Sequence, residues 1–351
     1  MKPEMAHVLI CRTDNIGDVV LTLPLAGYLK ERFPGIRIGF LCRSYAAPLV
    51  RCCGAVDYVV ESDQLADPAA WLAASGVDTI IHAKPDRCIA WAARKAGIAR
   101  RVGTSHRWFH WLTCNRLAHF SRVKSRLHEA QLNFALLRPL GMDITPPLQD
   151  IPAMYRLSAP PYRAEPALPP GCFNLVLHPK SNGNGREWPI EHYTALARLL
   201  QAHGDIAVFI TGSAKEGAWI AAHAGEVLAM PHVRNVCGAW DLGVLTAFIG
   251  AADGLVASGT GPLHMSAALG RPTLGLFPPV RPIDPERWGA LGARAEVLCQ
   301  PQGCAGCASA SECDCMRRIS PEQVAAVVLR WRAQAAKAPK PAPASSGPGW
   351  Q

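Results

Sequence analysis

Short apolar runs alternate with amphipathic stretches along almost the whole chain. Residues 8–11 (Val-Leu-Ile-Cys) read as a buried strand, and residues 19–32 as an amphipathic helix stopped by Phe33-Pro34-Gly35. The pattern then predicts strands over 36–41, 56–60 and 79–82, separated by helices over 46–52 and around Trp71. Near-continuous apolar strands alternating with helices point to a parallel sheet covered on both faces.

Eight prolines crowd the middle of the chain: Pro146, Pro147, Pro152, Pro160, Pro161, Pro166, Pro169 and Pro170. Proline at this density stops regular structure, so 148–171 reads as a linker. Beyond it the alternation restarts, with strands expected over 174–178, 206–210, 254–257 and 273–277 and helices over 190–203, 242–251 and 262–269. The chain is therefore expected to be α/β, with two doubly wound, Rossmann-like domains over 1–160 and 161–335. A tail rich in Ala, Pro, Ser and Gly, 336–351, is expected to be disordered.

Composition agrees with this picture. At 351 residues the chain exceeds the size at which single cores usually stop growing, and 49% hydrophobic with 18% charged residues excludes global disorder. No apolar run approaches the ~18 residues of a membrane span, and residues 1–6 lead into a strand rather than a signal peptide. The thirteen cysteines are scattered, unlike a secreted disulfide framework. A cytoplasmic protein with mostly free thiols is expected.

The net charge of +9 is concentrated. Residues 84–126 hold eleven Lys or Arg (Lys84, Arg87, Arg94, Lys95, Arg100, Arg101, Arg107, Arg116, Arg122, Lys124, Arg126) against one acid, Asp86. Trp91, Trp108, Phe109, Trp111 and Phe120 are interleaved with them. Such a stretch suits a polyanion, as in a nucleic-acid groove or at a membrane interface, and it also fits a solvated basic face over core aromatics.

Three loops at expected strand ends carry candidate chemistry. Thr13-Asp14-Asn15-Ile16-Gly17-Asp18 follows the first strand, where ligands bind in open α/β sheets. It has neither the glycines of a dinucleotide fingerprint nor the Lys-Ser/Thr of a P-loop. Asp18 there can act as a base or simply occupy a helix's first turn. His178-Pro179-Lys180-Ser181-Asn182-Gly183-Asn184-Gly185-Arg186-Glu187-Trp188-Pro189 suits a diphosphate, with Lys180 and Arg186 offering charge-assisted contacts; the bland alternative is an ordinary polar connection plugged by Trp188. Ser258-Gly259-Thr260-Gly261-Pro262-Leu263-His264 opens a helix whose N-terminus offers oriented N–H donors, and His264 can meet a phosphate or ribose or pack in the core.

The order and content of these loops resemble glycosyltransferase family 9, the ADP-heptose:lipopolysaccharide heptosyltransferases, from about Val8 to Trp331. The resemblance is carried by Arg12-Thr13-x-x-Ile16-Gly17-Asp18, Arg186-x-Trp188-Pro189-x-x-His192-Tyr193, Thr260-Gly261-Pro262-x-His264 with Ala267-Ala268-Leu269-Gly270, and Cys315-Met316 before Ile319-Ser320-Pro321. It implies a GT-B fold, two Rossmann-like domains facing across a cleft, and inverting, metal-independent transfer of heptose from ADP-heptose to the lipopolysaccharide core, with no cofactor. Asp18 would be the catalytic base. Lys180, Ser181, Arg186, Ser213, Glu216, Thr260, Gly261, Pro262 and His264 would bind the donor. Asn15, Gly17, Arg87, Arg107, Lys124 and Arg126 would bind an acidic lipid-linked acceptor, with no nucleic acid as partner and with peripheral contact at the cytoplasmic face of the inner membrane.

Two features depart from or add to the family's pattern. Gly259 stands where the family commonly has an acid, which puts the identity of the donor sugar in question and keeps open a different nucleotide sugar or a non-catalytic glycan-binding protein on the same fold. Cys304-x-x-Cys307 and Cys313-x-Cys315, with Cys299 upstream, are spaced more tightly than a usual structural zinc pattern. A disulfide or free thiols, and no metal, are expected there.

Overall fold

The computed structural model describes residues 5–181, 183, 185–304, 307 and 313–337. Residues 338–351 of the expected tail lie outside the described residues. Two six-stranded sheets form the frame. The first comprises β1 (His7–Cys11), β2 (Arg37–Cys42), β3 (Tyr58–Glu61), β4 (Thr79–His82), β5 (Arg100–Thr104) and β6 (Arg116–Ala118), in the order β3-β2-β1-β4-β5-β6. The second comprises β7 (Phe173–His178), β8 (Ile206–Ile210), β9 (Val233–Asn235), β10 (Gly254–Ser258), β11 (Thr273–Phe277) and β12 (Ala295–Cys299), in the order β12-β11-β10-β7-β8-β9. All neighbouring strands are parallel. Counted from its own first strand, the second sheet repeats the order of the first. Both are doubly wound sheets whose order reverses beside their first strand, between β1 and β4 and between β7 and β10.

Central strands are buried along their whole length, as β1, β4, β7, β8, β10 and β11 show. Apolar clusters cover both faces of each sheet, and the largest runs from Val8 and Phe40 in the first half to Phe209, Phe248 and Leu263 in the second.

Two expectations are corrected. The helix read over 19–32 is two helices, Ile16–Val20 and Leu23–Arg32. Pro24 has no N–H to continue the ladder, while the Thr22 hydroxyl donates to the Asp18 carbonyl at 2.8 Å and closes the first piece. The proline-rich linker also begins as ordered structure: a helix at Ile151–Met154 leads into the fully buried Tyr155, and Leu157 bridges to Cys53. Its carbonyl at Met154 packs so closely on Gly27 that a Cβ there would lie 1.9 Å away, so only glycine fits.

The basic stretch hides structure that its charge obscured. It contains the helices Arg87–Lys95 and Trp108–Thr113 besides β5 and β6. Arg101 on β5 donates to the Thr113 carbonyl at 2.7 Å and to that of Ile98, and Arg94 donates to the Leu112 carbonyl. Several of these cations therefore bind backbone. No described helix is long and apolar enough to cross a membrane.

Candidate functional site

A cavity of about 1050 Å³ opens between the carboxyl ends of the two sheets. The first half contributes Asn15, Gly17 and Asp18; the second contributes Lys180, Ser181, Arg186, Ser213, Glu216, Thr260, Gly261, Pro262 and His264. The loops after β1, β7 and β10 thus meet at the points where strand order reverses in each sheet. The helices Ile16–Val20 and Gly261–Ala268 touch across the gap. A Cβ on Gly17 would stand 2.9 Å from His264 Cδ2, and one on Gly261 2.9 Å from Ile16 Cβ, so both glycines are required by the approach itself.

Asp18 sits in the first turn of its helix with its side chain 15% exposed. Arg12 donates through Nη2 to Asp18 Oδ1 and through Nε to Asp14 Oδ1 at 2.6 Å. Burial raises the Asp18 pKa above the ordinary value, and the Arg12 guanidinium works against that rise. Behind Arg12 lies Glu129, 2% exposed, which takes Arg12 Nη1 at 3.5 Å on Oε1, Arg122 on the same oxygen and Arg287 on Oε2. Burial lowers Arg122 to about 9 and Arg287 to about 10, leaving both charged at neutral pH. Arg287 belongs to the helix Pro285–Trp288 of the second half, so this ion cluster joins the two halves. Beside it His128 Nε2 donates to the Gly289 carbonyl at 2.8 Å, which leaves Nδ1 to accept the Ala130 N–H.

On the opposite side, Lys180 pairs with Glu187 and lies 3.8 Å from the centroid of the Trp219 ring. The Glu187 carboxylate also accepts from the Ser181 N–H at 2.8 Å and hydroxyl at 3.1 Å. Arg186 donates to the Cys307 carbonyl through Nε at 3.3 Å and Nη2 at 3.0 Å. Ser213 and Glu216 form a capping box at the head of the helix Ala214–Leu228. Thr260 Oγ1 and His264 Nδ1 are buried without a hydrogen-bond partner among the described residues. Burial lowers His264 to about 3, so its ring is neutral and one nitrogen can accept. Both residues line the cleft, and each buried polar atom without a partner leaves hydrogen-bonding capacity unused there. At Gly259 a Cβ would lie 3.1 Å from the Phe277 ring, so the ring occupies the space a side chain there would need.

Comparison with known proteins decides the family. The model for glycosyltransferase family 9 (heptosyltransferase) matches residues 72–315. The chain belongs to glycosyltransferase family 9. A Haemophilus influenzae protein provisionally named a glycosyltransferase is 25% identical over 318 residues, covering 85% of this chain and 90% of its own. Lipopolysaccharide heptosyltransferase 2 of Escherichia coli is 34% identical over 123 residues, 33% of each chain. The solved ADP-heptose lipopolysaccharide heptosyltransferase II of E. coli superposes with a TM-score of 0.73 at 21% identity, covering 95% of this chain and all of the other. The fold of this family 9 glycosyltransferase is accordingly GT-B.

The family match begins after residue 71, so the loop bearing Asp18 lies outside it. Within the family 9 cleft, four of the expected acceptor residues are missing from the lining: Arg87, Arg107, Lys124 and Arg126 are all exposed and stand elsewhere on the first half. Trp108, Trp111 and Val123 near them are 64%, 60% and 93% exposed. The cleft wall includes residues that no sequence motif singled out, among them Arg43, Tyr45, Trp240 and Trp288. Tyr45 donates its hydroxyl to the Asp14 carbonyl, tying the loop after β2 to the loop that carries Asp18.

Of the disulfide and the free thiols expected at the cysteine cluster, the structure has free thiols, and it packs them closely. The sulfurs of Cys304, Cys307, Cys313 and Cys315 all lie within 4.8 Å of one another, despite their close spacing in sequence. Cys307 is 3.6 Å from Cys304, 3.9 Å from Cys313 and 3.2 Å from Cys315, all beyond the roughly 2.05 Å of a disulfide.

Proposed function

We propose that this family 9 enzyme is an inverting transferase that moves heptose from ADP-heptose to the inner core of lipopolysaccharide. The observation that carries the reading is the placement of a buried, arginine-held carboxylate, Asp18, across a cleft from an anion cradle built by the other half. Support for the donor comes from relatives: solved neighbours include E. coli WaaC with ADP, at 19% identity and TM-score 0.67.

In this mechanism the donor diphosphate lies against Lys180, Arg186 and the N–H groups that open the helix Gly261–Ala268, without a metal ion at the diphosphate. Thr260 Oγ1 and His264 hydrogen-bond the donor. Ser181, Ser213, Glu216 and Pro262 shape its pocket, and Asn15 and Gly17 border the acceptor. The acceptor oxygen attacks the anomeric carbon from the face opposite the leaving group. As that C–O bond forms and the bond to ADP breaks, Asp18 takes the hydroxyl proton and ADP departs with the bonding pair. Burial, which raises the Asp18 pKa, makes it a better proton acceptor, while Arg12 keeps it ionised and oriented.

The exposed cations Arg87, Arg107, Lys124 and Arg126, with Trp108 and Trp111, would meet acidic groups of the lipid-linked acceptor at the cytoplasmic membrane surface, outside the cleft. The packing of Phe277 beside Gly259 favours a second reading in which the nucleotide sugar differs from ADP-heptose.

The test is transfer from ADP-heptose to a heptose-deficient lipopolysaccharide acceptor. Asp18→Asn is expected to lose roughly 10²- to 10⁴-fold in kcat, the usual worth of a general base, while calorimetry still detects ADP binding. The wild-type acid limb should lie above the range of an ordinary aspartate, because the Asp18 pKa is raised and the base is lost as pH falls through it. Unchanged turnover in Asp18→Asn removes Asp18 from the mechanism. Transfer from another nucleotide sugar but not from ADP-heptose replaces the donor.

A further inference from the structure

We propose that Cys304, Cys307, Cys313 and Cys315 form a tetrathiolate site for a tetrahedral divalent transition-metal cation, zinc or iron. The first observation is geometric. Four thiolates around zinc at about 2.3 Å stand roughly 3.8 Å apart, edge to edge of a tetrahedron. The sulfurs here are 3.2, 3.6 and 3.9 Å apart in the three pairs that involve Cys307, and all four fall within 4.8 Å. Small adjustments would centre an ion among them. An all-sulfur tetrahedral set selects zinc or iron over the hard cations that prefer oxygen.

The second observation is how the chain delivers the sulfurs. The Cys307 N–H donates to the Cys304 carbonyl at 3.1 Å, and the Cys304 N–H donates to Cys307 Sγ at 3.3 Å, so these two residues close directly on one another with their sulfurs 3.6 Å apart. Cys313 stands at the N-cap of the helix Asp314–Arg317 in an extended conformation, and Cys315 lies in its first turn. The Cys-x-Cys pair that looked too cramped in sequence reaches a common point because the strand-like residue and the helical one project their sulfurs differently.

The surroundings suit a thiolate centre of net negative charge. Arg318 Nη2 donates to Cys315 Sγ at 3.5 Å and to the Gln302 carbonyl at 3.3 Å. N–H donors to sulfur are what orient and tune ligands from outside a metal centre. Cys307, Cys313 and Cys315 are buried in the second half's core beside Met316 and Ile319. An ion held there also fixes the Cys307 carbonyl, which anchors the Arg186 guanidinium at the cleft. The site lies outside the cleft lining and stands independently of the donor's identity.

The experiment uses the full chain, without a metal-binding tag, purified in reductant and analysed by elemental mass spectrometry. About one zinc or iron per chain is expected, the element distinguishing the two and a visible thiolate-to-iron band marking ferric iron. Cys307→Ser with Cys315→Ser is expected to lose the metal and Cys88→Ser to keep it. Should the double variant not fold, titration of the wild type with an organomercurial is expected to release the metal as the cluster's thiols are modified. Protein that folds with less than about one tenth of an equivalent, even after incubation with Zn²⁺ or Fe²⁺ and desalting, overturns the proposal. So does an intact mass showing disulfide bonds among the four, or a metal content the double variant retains.

Discussion

Replacing Glu129 by glutamine tests whether one buried carboxylate holds the site together. Glu129 is 2% exposed and receives Arg12, Arg122 and Arg287, the last from the other half of the molecule. Glutamine keeps the size but removes the charge, and one of its two polar ends becomes a donor aimed at guanidinium donors. Removing one partner of a buried ionic cluster typically costs about 3–5 kcal/mol, because the remaining charges stay buried without compensation. For a unit the size of one half, each kcal/mol moves the melting temperature by about 2–4 °C, so Glu129→Gln should melt roughly 6–20 °C lower. Scanning calorimetry or circular dichroism at neutral pH measures it. Transfer activity adds a second readout: with Glu129 neutral, Arg12 and Arg122 act on Asp18 with less competition, its pKa falls, and the acid limb of the rate profile moves to lower pH. A variant that melts within about 2 °C of wild type would refute the reasoning, since the three arginines would then be satisfied without Glu129.

Gly17→Ala places a carbon 2.9 Å from His264 Cδ2, well inside the ~3.5–4.0 Å of carbon contact, against a ring with no room to retreat. It should cost about 1–3 kcal/mol of stability and a disproportionate share of kcat, because the loops bearing Asp18 and Thr260 are pushed apart; wild-type kcat would show that the approach is not needed. Stability should also fall as pH drops below neutral. His82 and His264 are lowered to about 3, and His128 and His178 to about 4, each chiefly by burial, against an ordinary 6.5. A histidine depressed in the fold stabilises it above the unfolded pKa and loses that contribution as pH falls toward the folded value, so the melting temperature should decline between pH 6.5 and about 4. A flat melting curve over that window would show that these rings protonate without unfolding.

Apolar content explains what was legible from the chain. The strands β4, β8 and β11 fall where runs of Ile, Val, Leu and Phe required burial on both faces, and the loops after β1, β7 and β10 were marked by glycine and polar residues at their ends. β5 was hidden because Arg100-Arg101 reads as surface, whereas Arg101 sits in the strand and spends its guanidinium on the Thr113 and Ile98 carbonyls. The split of the first long helix turned on Pro24, whose missing N–H matters more than the apolar period around it. In the cleft, Asp18 and Thr260 could be singled out by position, but Glu129 could not: its role depends on Arg12, Arg122 and Arg287, scattered over 276 positions of sequence and joined only by folding. Tyr45 and Trp240 were missed for the same reason, since ordinary wall residues carry no local pattern.

The route by which Arg287 reaches Glu129 gives the ion cluster a consequence for turnover. Any swing that widens this edge must withdraw Arg287 from Glu129 and part His128 from the Gly289 carbonyl. Such a swing takes a cation out of the neighbourhood of Asp18, whose carboxyl then holds a proton more readily. Under the proposed mechanism, admitting a sugar nucleotide and arming the carboxylate would then be one event, with Asp18 at its most ionised only when the halves have come together.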